Sequence, residues 1–149
     1  MLDWSFMKTR TGSFPIGFRR GWSSWQKDLP GLCRWARENG FAALDAGGDG
    51  DKAAPEIKAS GLGVGSVDLL AWGALMSPDK AKRAEAVAKN EAYVAACAKA
   101  GVKNYFAVMV PEKPDLPRKE NFSALVASLK ALLPALEKHG ARVAIEGWP

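Results

Sequence analysis

The chain has 149 residues, of which 48% are hydrophobic and 25% are charged, and its formal net charge is +5 at pH 7. These values are typical of one soluble globular domain and exclude a disordered chain. The basic excess is compatible with an anionic ligand such as a phosphate ester, but it lacks the clustering of a nucleic-acid binder. No apolar run reaches the roughly 20 residues of a membrane span, so we predict a cytoplasmic protein with no membrane partner.

Residues 1–13 have no clear periodicity, and we interpret them as a lead-in to a single α/β domain over residues 14–149. The two cysteines, Cys33 and Cys97, fall on the apolar sides of helical patterns, which favours buried thiols over a disulfide or a metal pair. The single histidine, His139, falls at a predicted helix C-terminus. A favourable contact with the helix dipole explains its position, and we do not assign it to catalysis.

Strand and helix patterns alternate along most of the chain. Asp28 is the predicted N-cap of the first helix, and Ser77 is that of the third, with Pro78 at its first helical position. In residue numbers, strands are predicted at 14–18, 41–45, 62–70 and 102–110, with helices at 29–39, 52–60 and 78–99 between them.

A proline-rich loop and one more helix precede the last strand. Asn121 or Ser123 is the predicted cap of this helix, and Pro134 predicts a kink or an early end. Arg142–Ile145 is then predicted to be a buried parallel strand, with Glu146 at its C-terminal end. The carboxyl edge of a parallel sheet is where ligands bind and chemistry takes place.

This alternation predicts a parallel sheet of about five strands and four helices with right-handed crossovers. Two α/β architectures fit the pattern. One is a partial (β/α)8 TIM barrel with its strands in sequential order, because a complete barrel needs roughly 250 residues. The other is an open, flavodoxin-like doubly wound sheet. Periodicity alone does not choose between them.

Three segments resemble the sugar phosphate isomerase/epimerase family, whose members are xylose isomerase-like TIM barrels. They are the runs 15–22, PIGFRRGW, 37–41, RENGF, and 136–146, LEKHGARVAIE. The resemblance covers most of this chain but only the N-terminal part of the family's barrel. Its most specific element is the helix, glycine, strand and glutamate that end at Glu146.

The resemblance implies a divalent metal, Mn, Mg, Co or Zn, at the carboxyl edge of a complete barrel. It also implies that Glu146 is a metal ligand and one member of the acid/base pair that moves a proton between adjacent carbons of a sugar or sugar phosphate. The family's other ligands, an Asp, a His and a second Glu, have no counterpart here. We therefore expect the chain alone to be incomplete and inactive.

Arg19 and Arg20 follow the first strand, and at most one should face the carboxyl edge because strand neighbours point to opposite faces. A guanidinium there is suited to bidentate binding of a phosphate or carboxylate, so Arg19 is a candidate substrate-binding residue. Asp45 and Asp68 lie near the ends of the next two strands. Each is suited to bind a substrate hydroxyl, with loop capping as the common alternative, and we select Asp45.

Several tryptophans come directly after predicted strands, namely Trp22, Trp25, Trp72 and Trp148. Indole rings at one rim would stack on the apolar faces of a sugar and exclude water. For any single tryptophan, packing of a loop on a helix is the common alternative. We select Trp22, Trp72 and Trp148 as substrate-binding candidates, whereas Trp35 falls inside a helix and is assigned to packing.

A non-catalytic role remains open on the sequence alone. A partial barrel has two unpaired strand edges and exposed apolar sheet surface. The alternative function is therefore an α/β domain that binds a small ligand or serves in assembly. In this case we expect self-association through the first and fifth strands, or association with a separate C-terminal half.

Overall fold

A computed structural model describes residues 14–147 of the chain, so the predicted lead-in over residues 1–13 lies outside the described residues. The strands are β1 Gly17–Arg19, β2 Ala43–Asp45, β3 Gly63–Val64, β4 Val67–Asp68, β5 Asn104–Val108 and β6 Arg142–Glu146. The helices are α1 Ser24–Lys27, α2 Leu29–Glu38, α3 Gly50–Ala59, α4 Trp72–Leu75, α5 Lys80–Lys99 and α6 Arg118–Lys138. Within these residues, no helix is long and apolar enough to cross a membrane.

All strand pairs are parallel, and the strands lie side by side in chain order, as β1-β2-β3 and β4-β5-β6. The two short strands β3 and β4 are parts of the single strand predicted over 62–70. Gly65 and Ser66 separate the two strands. This segment is still bound to the chain just after β2, because the Ala46 amide donates to the Ser66 carbonyl at 2.9 Å. Sequential order confirms the partial barrel, and the shuffled flavodoxin-like order is wrong.

Gly65 lies at the interruption between β3 and β4, next to the Asp45 carboxylate. A Cβ atom on Gly65 would lie 2.2 Å from Asp45 Oδ1, so a larger residue here would require this carboxylate to move. The Asn104 side-chain amide then donates to the Gly65 carbonyl at 3.0 Å. The strand resumes as β4, which pairs with β5.

The core lies between the sheet and the helices. Its central side chains are fully buried: Leu32, Leu44, Ile57, Val67, Tyr105 and Leu132. The opposite face of the sheet is less covered, and Ala144 on β6 is exposed there. The prediction that the last strand is buried is therefore wrong, because Ile145 on the helix side of β6 is also 51% exposed.

The helix ends follow local polar chemistry more than the predicted caps. Asp28 is confirmed as the cap of α2, since its carboxylate accepts from the Gly31 amide at 3.2 Å. Ser77 is not the cap of α5. Asp79 takes that place and accepts from the Ala81 amide at 2.8 Å, while the Ser77 hydroxyl accepts from the Asp79 amide at 3.2 Å. The serine thus stabilises the turn before the helix instead of its first turn.

Helix α6 begins earlier than predicted, directly after Pro117. Neither Asn121 nor Ser123 caps it, because both lie within its first turns, and the Asn121 side chain donates back to the Lys113 carbonyl at 3.1 Å. Pro134 does not end the helix, which runs to Lys138. The glycines that follow the four long helices have positive φ, namely Gly40, Gly61, Gly101 and Gly140.

Both cysteines are buried and free, as predicted. Burial raises the pKa of the Cys33 thiol and of the Cys97 thiol, so fewer thiolates form at neutral pH. The two residues therefore behave as small apolar core groups.

Helix α3 begins at Gly50, two residues before the predicted start, and this first residue contacts the sheet closely. The Gly50 amide donates to the Tyr93 hydroxyl at 2.8 Å. A Cβ atom on Gly50 would lie 2.4 Å from Val67 Cγ1 on β4. Glycine here lets the helix start pack directly on the strand that carries Asp68.

We expect Gly50→Ala to lower the free energy of unfolding by about 1–3 kcal/mol, because β4 and Tyr93 would have to move. The control is Gly73→Ala, whose Cβ would meet its nearest neighbour at 3.7 Å, an ordinary contact. This control should be neutral or slightly stabilising. Urea unfolding followed by circular dichroism measures both, and equal losses would contradict the close-packing argument.

Candidate functional site

The face of the sheet opposite the helices carries the candidate site. Side chains alternate along each strand, so Tyr105 on β5 points into the core while Phe106 points to the other face. Strand register extends this assignment, because Phe106 pairs with Asp68 and Val108 pairs with Glu146. The carboxyl ends of the strands therefore bring acidic side chains to one concave face.

Arg19 and Asp68 form a bidentate ion pair on this face. Arg19 Nη1 donates to Asp68 Oδ1 at 2.8 Å, and Nη2 donates to Oδ2 at 2.6 Å. The guanidinium carbon lies 5.2 Å from the centre of the Phe106 ring, within the range of a cation–π contact. The hydrogen bond to Asp68 raises the pKa of Arg19, and the charges of Asp68, Asp45 and Glu146 raise it further, against the effect of burial.

Asp45 pairs with Arg19 in the strand register and faces the same side. The Ser66 hydroxyl donates to Asp45 Oδ1 at 3.1 Å, so this carboxylate stabilises the interruption between β3 and β4. The structure thus gives Asp45 the loop-capping contact that the sequence offered as the alternative. Its other carboxylate oxygen provides the acceptor that a ligand hydroxyl would need.

Glu146 is the last residue of β6 and is exposed. Its backbone carbonyl accepts from the Met109 amide at 3.0 Å, which holds the strand end against β5. Its carboxylate lies close enough to Arg19 for its charge to raise the pKa of the guanidinium. The predicted catalytic carboxylate is therefore at the carboxyl edge, on the face that carries Arg19 and Asp68.

Trp72 borders this face next to Phe106. The two rings meet edge to face, with centres 6.1 Å apart and planes at 84°. The Trp72 indole nitrogen is buried and has no hydrogen-bond partner within residues 14–147. A buried N–H group without a partner is uncommon.

The other predicted aromatic residues do not join Trp72. Trp22 is 82% exposed. Trp25 packs on Trp35 at 5.3 Å, and Trp35 packs on Phe18 at 5.6 Å, which places this pair on the helix side of β1. Trp148 lies outside the described residues.

The two arginines separate as the sequence predicted. Arg20 pairs with Asp49 at 2.9 Å and donates to the Gln26 carbonyl at 3.1 Å, away from the Arg19 pair. The sequence interpretation missed Phe106 and Ser66 as parts of the site. Strict alternation next to the buried Tyr105 was the signal that could have placed Phe106 on the concave face.

A divalent metal does not fit the described residues by themselves. Within residues 14–147, no group of three or more His, Cys, Asp or Glu side chains is arranged to hold a metal ion. Asp68 is bound to both terminal nitrogens of Arg19, and Asp45 holds Ser66. His139 is the C-cap of α6 and contributes nothing to this edge.

Comparisons with known proteins agree on the fold. The model of a family described as xylose isomerase-like TIM barrel matches residues 33–149. Among solved structures, D-psicose 3-epimerase from Clostridium cellulolyticum H10, in crystals with D-tagatose, is similar over 87% of this chain, with a TM-score of 0.70 and 18% identity. The apo 3-keto-D-glucoside 4-epimerase from E. coli is similar over 89%, with a TM-score of 0.70 and 16% identity.

An L-ribulose 3-epimerase is also similar over 87% of this chain, with a TM-score of 0.67 and 21% identity. The three alignments cover 50%, 56% and 48% of the epimerase chains, so this chain spans about half the length of the structures it matches. Identities this low show the fold alone. No curated protein sequence matches the chain.

Asp68→Asn should lower the free energy of unfolding by about 1–3 kcal/mol, because a neutral amide cannot accept both guanidinium bonds on this partly buried face. Asp49→Asn is the matched control, since Asp49 also pairs with an arginine but its side chain is 50% exposed. We expect the control to cost less than about 1 kcal/mol. Chemical unfolding in low and high salt measures both variants. Equal losses of unfolding free energy would show that the Arg19–Asp68 pair stabilises the fold no more than an exposed ion pair does.

Proposed function

This chain belongs to the xylose isomerase-like TIM-barrel family, and on that premise we propose that it supplies part of a site that isomerises or epimerises a sugar. The observation that carries the proposal is the position of Glu146. It ends the last strand of a sequential parallel sheet, with its carboxylate exposed on the same face as Arg19 and Asp68. The solved sugar epimerases of similar fold support the same reaction class.

Glu146 acts as a general base in this proposal. Its carboxylate takes the proton from a carbon next to the sugar carbonyl, the C–H bond breaks, and the electron pair forms an enediolate. Return of a proton to the opposite face inverts the carbon, and return to the neighbouring carbon isomerises the sugar.

The charges on this face favour a neutral sugar over a sugar phosphate. Both terminal nitrogens of Arg19 are bound to Asp68, and Asp45 and Glu146 add two more carboxylates. A phosphate dianion would face this excess of negative charge, and among residues 14–147 the guanidinium on this face is already bound to Asp68. In this proposal Arg19 organises the site through its pair with Asp68, instead of binding a substrate anion as the sequence suggested.

A divalent cation would find one available ligand in Glu146 and would need the rest from groups outside the described residues. Trp72 and Phe106 supply the apolar wall on which a sugar ring stacks. The part of the site described here therefore binds one side of the sugar and supplies one of the two carboxylates that the family's chemistry uses. It does not supply a group for the opposite face.

The direct test is exchange of the C3 proton of D-fructose in D2O, followed by NMR with and without Mn2+. One base on one face is sufficient for exchange without inversion, so we expect deuterium at C3 with retained configuration. We expect no epimerised sugar, because the described part of the site supplies no group for the opposite face. Glu146→Gln should lower the exchange rate by about 100-fold or more. Glu137→Gln is the control, because Glu137 is an exposed carboxylate on α6.

Equal exchange rates for the wild-type protein and Glu146→Gln would reject this role for the glutamate. D-fructose 6-phosphate tests the preference for a neutral sugar under the same conditions. We expect it to exchange more slowly than D-fructose, and a faster rate would overturn the argument from charge.

A second candidate function, assembly, is favoured by the outer surface of α6. Phe122, Val126, Leu129 and Leu133 recur at helical spacing, and the two end residues are 63% and 47% exposed. Ile145 on the neighbouring strand is 51% exposed. At the other edge of the sheet, the exposed Trp25–Trp35 pair forms a second apolar patch.

If copies of this chain associate edge to edge, the α6 surface of one copy would cover the tryptophan pair of the next. Leu133→Lys should then weaken self-association at least about tenfold, because a charge would be buried in an apolar contact. Val110→Lys is the control, since Val110 is 44% exposed but lies in the loop after β5. Sedimentation velocity measures this, and a concentration-independent monomer would reject the assembly function.

A further inference from the structure

Asn90 on α5 uses its side chain to bind the backbone of Leu70, two residues after β4 ends. It is fully buried. Its Oδ1 accepts from the Leu70 amide at 2.8 Å, and its Nδ2 donates to the Leu70 carbonyl at 2.9 Å. Nδ2 also donates to the Ala86 carbonyl at 2.9 Å, so both amide hydrogens are used. The Asn90 side chain thus satisfies both the backbone N–H and the backbone C=O of Leu70, as a neighbouring strand would.

These bonds mark the place where the chain leaves the sheet. The Leu69 amide still donates to the Phe106 carbonyl on β5 at 2.8 Å. At Leu70 the backbone bonds pass from β5 to Asn90. Ala71 then has φ 52° and ψ 49°, a left-handed conformation that residues with a Cβ atom rarely adopt.

The turn at Ala71 determines where Trp72 lies. Helix α4 begins at Trp72, and the Leu75 amide donates to the Ala71 carbonyl at 3.2 Å. The indole ring thereby meets the Phe106 ring edge to face, and Phe106 in turn contacts the Arg19 guanidinium. An unfavourable backbone conformation next to a candidate site persists only where the surroundings hold it.

We propose that Asn90 is a positioning residue that holds Ala71 in the left-handed conformation and so places Trp72 at the wall of the site. Asn90 does not touch a ligand in this proposal and acts through the Leu70 backbone. Its importance for sugar binding rests on the function proposed above, but its effect on Trp72 does not.

The first test is a double-mutant cycle between Asn90→Leu and Ala71→Gly. Glycine adopts the left-handed conformation without strain, whereas Ala71 can relax once Asn90 is removed, so the loss of stability from Asn90→Leu should be larger in the Ala71→Gly background. A buried amide that only satisfies hydrogen bonds would give the same loss in both backgrounds. Asn90→Asp, which keeps the size and the acceptor but loses the donors, is the second variant if the leucine variant does not fold.

The second test follows Trp72 itself by acrylamide quenching of fluorescence. The signal of Trp72 is the difference between each variant and the same variant with Trp72→Phe added. We expect Asn90→Leu and Asn90→Asp to increase the quenching of Trp72 several-fold and to shift its emission to longer wavelength. Asn121→Leu is the matched control, because Asn121 is also a buried asparagine on a long helix and its side chain donates to a backbone carbonyl.

Additive stability losses together with unchanged Trp72 quenching would overturn the proposal. An effect of Asn121→Leu on Trp72 as large as that of Asn90→Leu would also overturn it, since the effect would then be general loosening. Neither readout uses a sugar. Absence of C3 exchange on D-fructose would therefore reject the proposed function without affecting this inference.

Discussion

The ion pair between Arg19 and Asp68 connects the two parts of the sheet. Arg19 ends β1, Asp68 ends β4, and these strands belong to separate three-stranded sheets. Strands two places apart lie about 10 Å from each other, so the long Arg19 side chain extends across β2 to reach the aspartate. This contact links the carboxyl ends of β1 and β4 on one face of the sheet. Phe106 supports the guanidinium from the next strand.

Successive side chains of β5 point to opposite faces of the sheet, so one residue packs in the core and the next lies at the candidate site. Tyr105 is buried among the helices, and the adjacent Phe106 borders the concave face. The same division holds on β4, where Val67 packs against the helix start at Gly50 and Asp68 binds Arg19. A residue on the core side supports its neighbour on the site side because both are carried by one rigid backbone.

Much of the fold was predictable because hydrophobic periodicity and glycine positions are local signals. The order of strands and helices, the Asp28 cap and the glycines after the long helices all followed from nearby residues. The predicted cap at Ser77 was wrong because Asp79 offers a carboxylate two residues later, and both residues suit the same pattern. The split of the third strand was missed because its two halves pair with different neighbours, β3 with β2 and β4 with β5, and such pairing is not a local signal.

The sequence by itself determined that this is a parallel α/β chain with Glu146 at the end of its last strand, since short-range patterns encode both. Only the tertiary structure decided which charges meet. Arg19 and Asp68 are 49 residues apart, and nothing local indicates that the arginine binds this aspartate and not a ligand. Likewise, Asn90 reaches Leu70 across 20 residues because α5 packs behind the sheet. Such contacts depend on how the helices and strands pack against each other. A pattern of neighbouring residues in the sequence does not show which distant residues will come together.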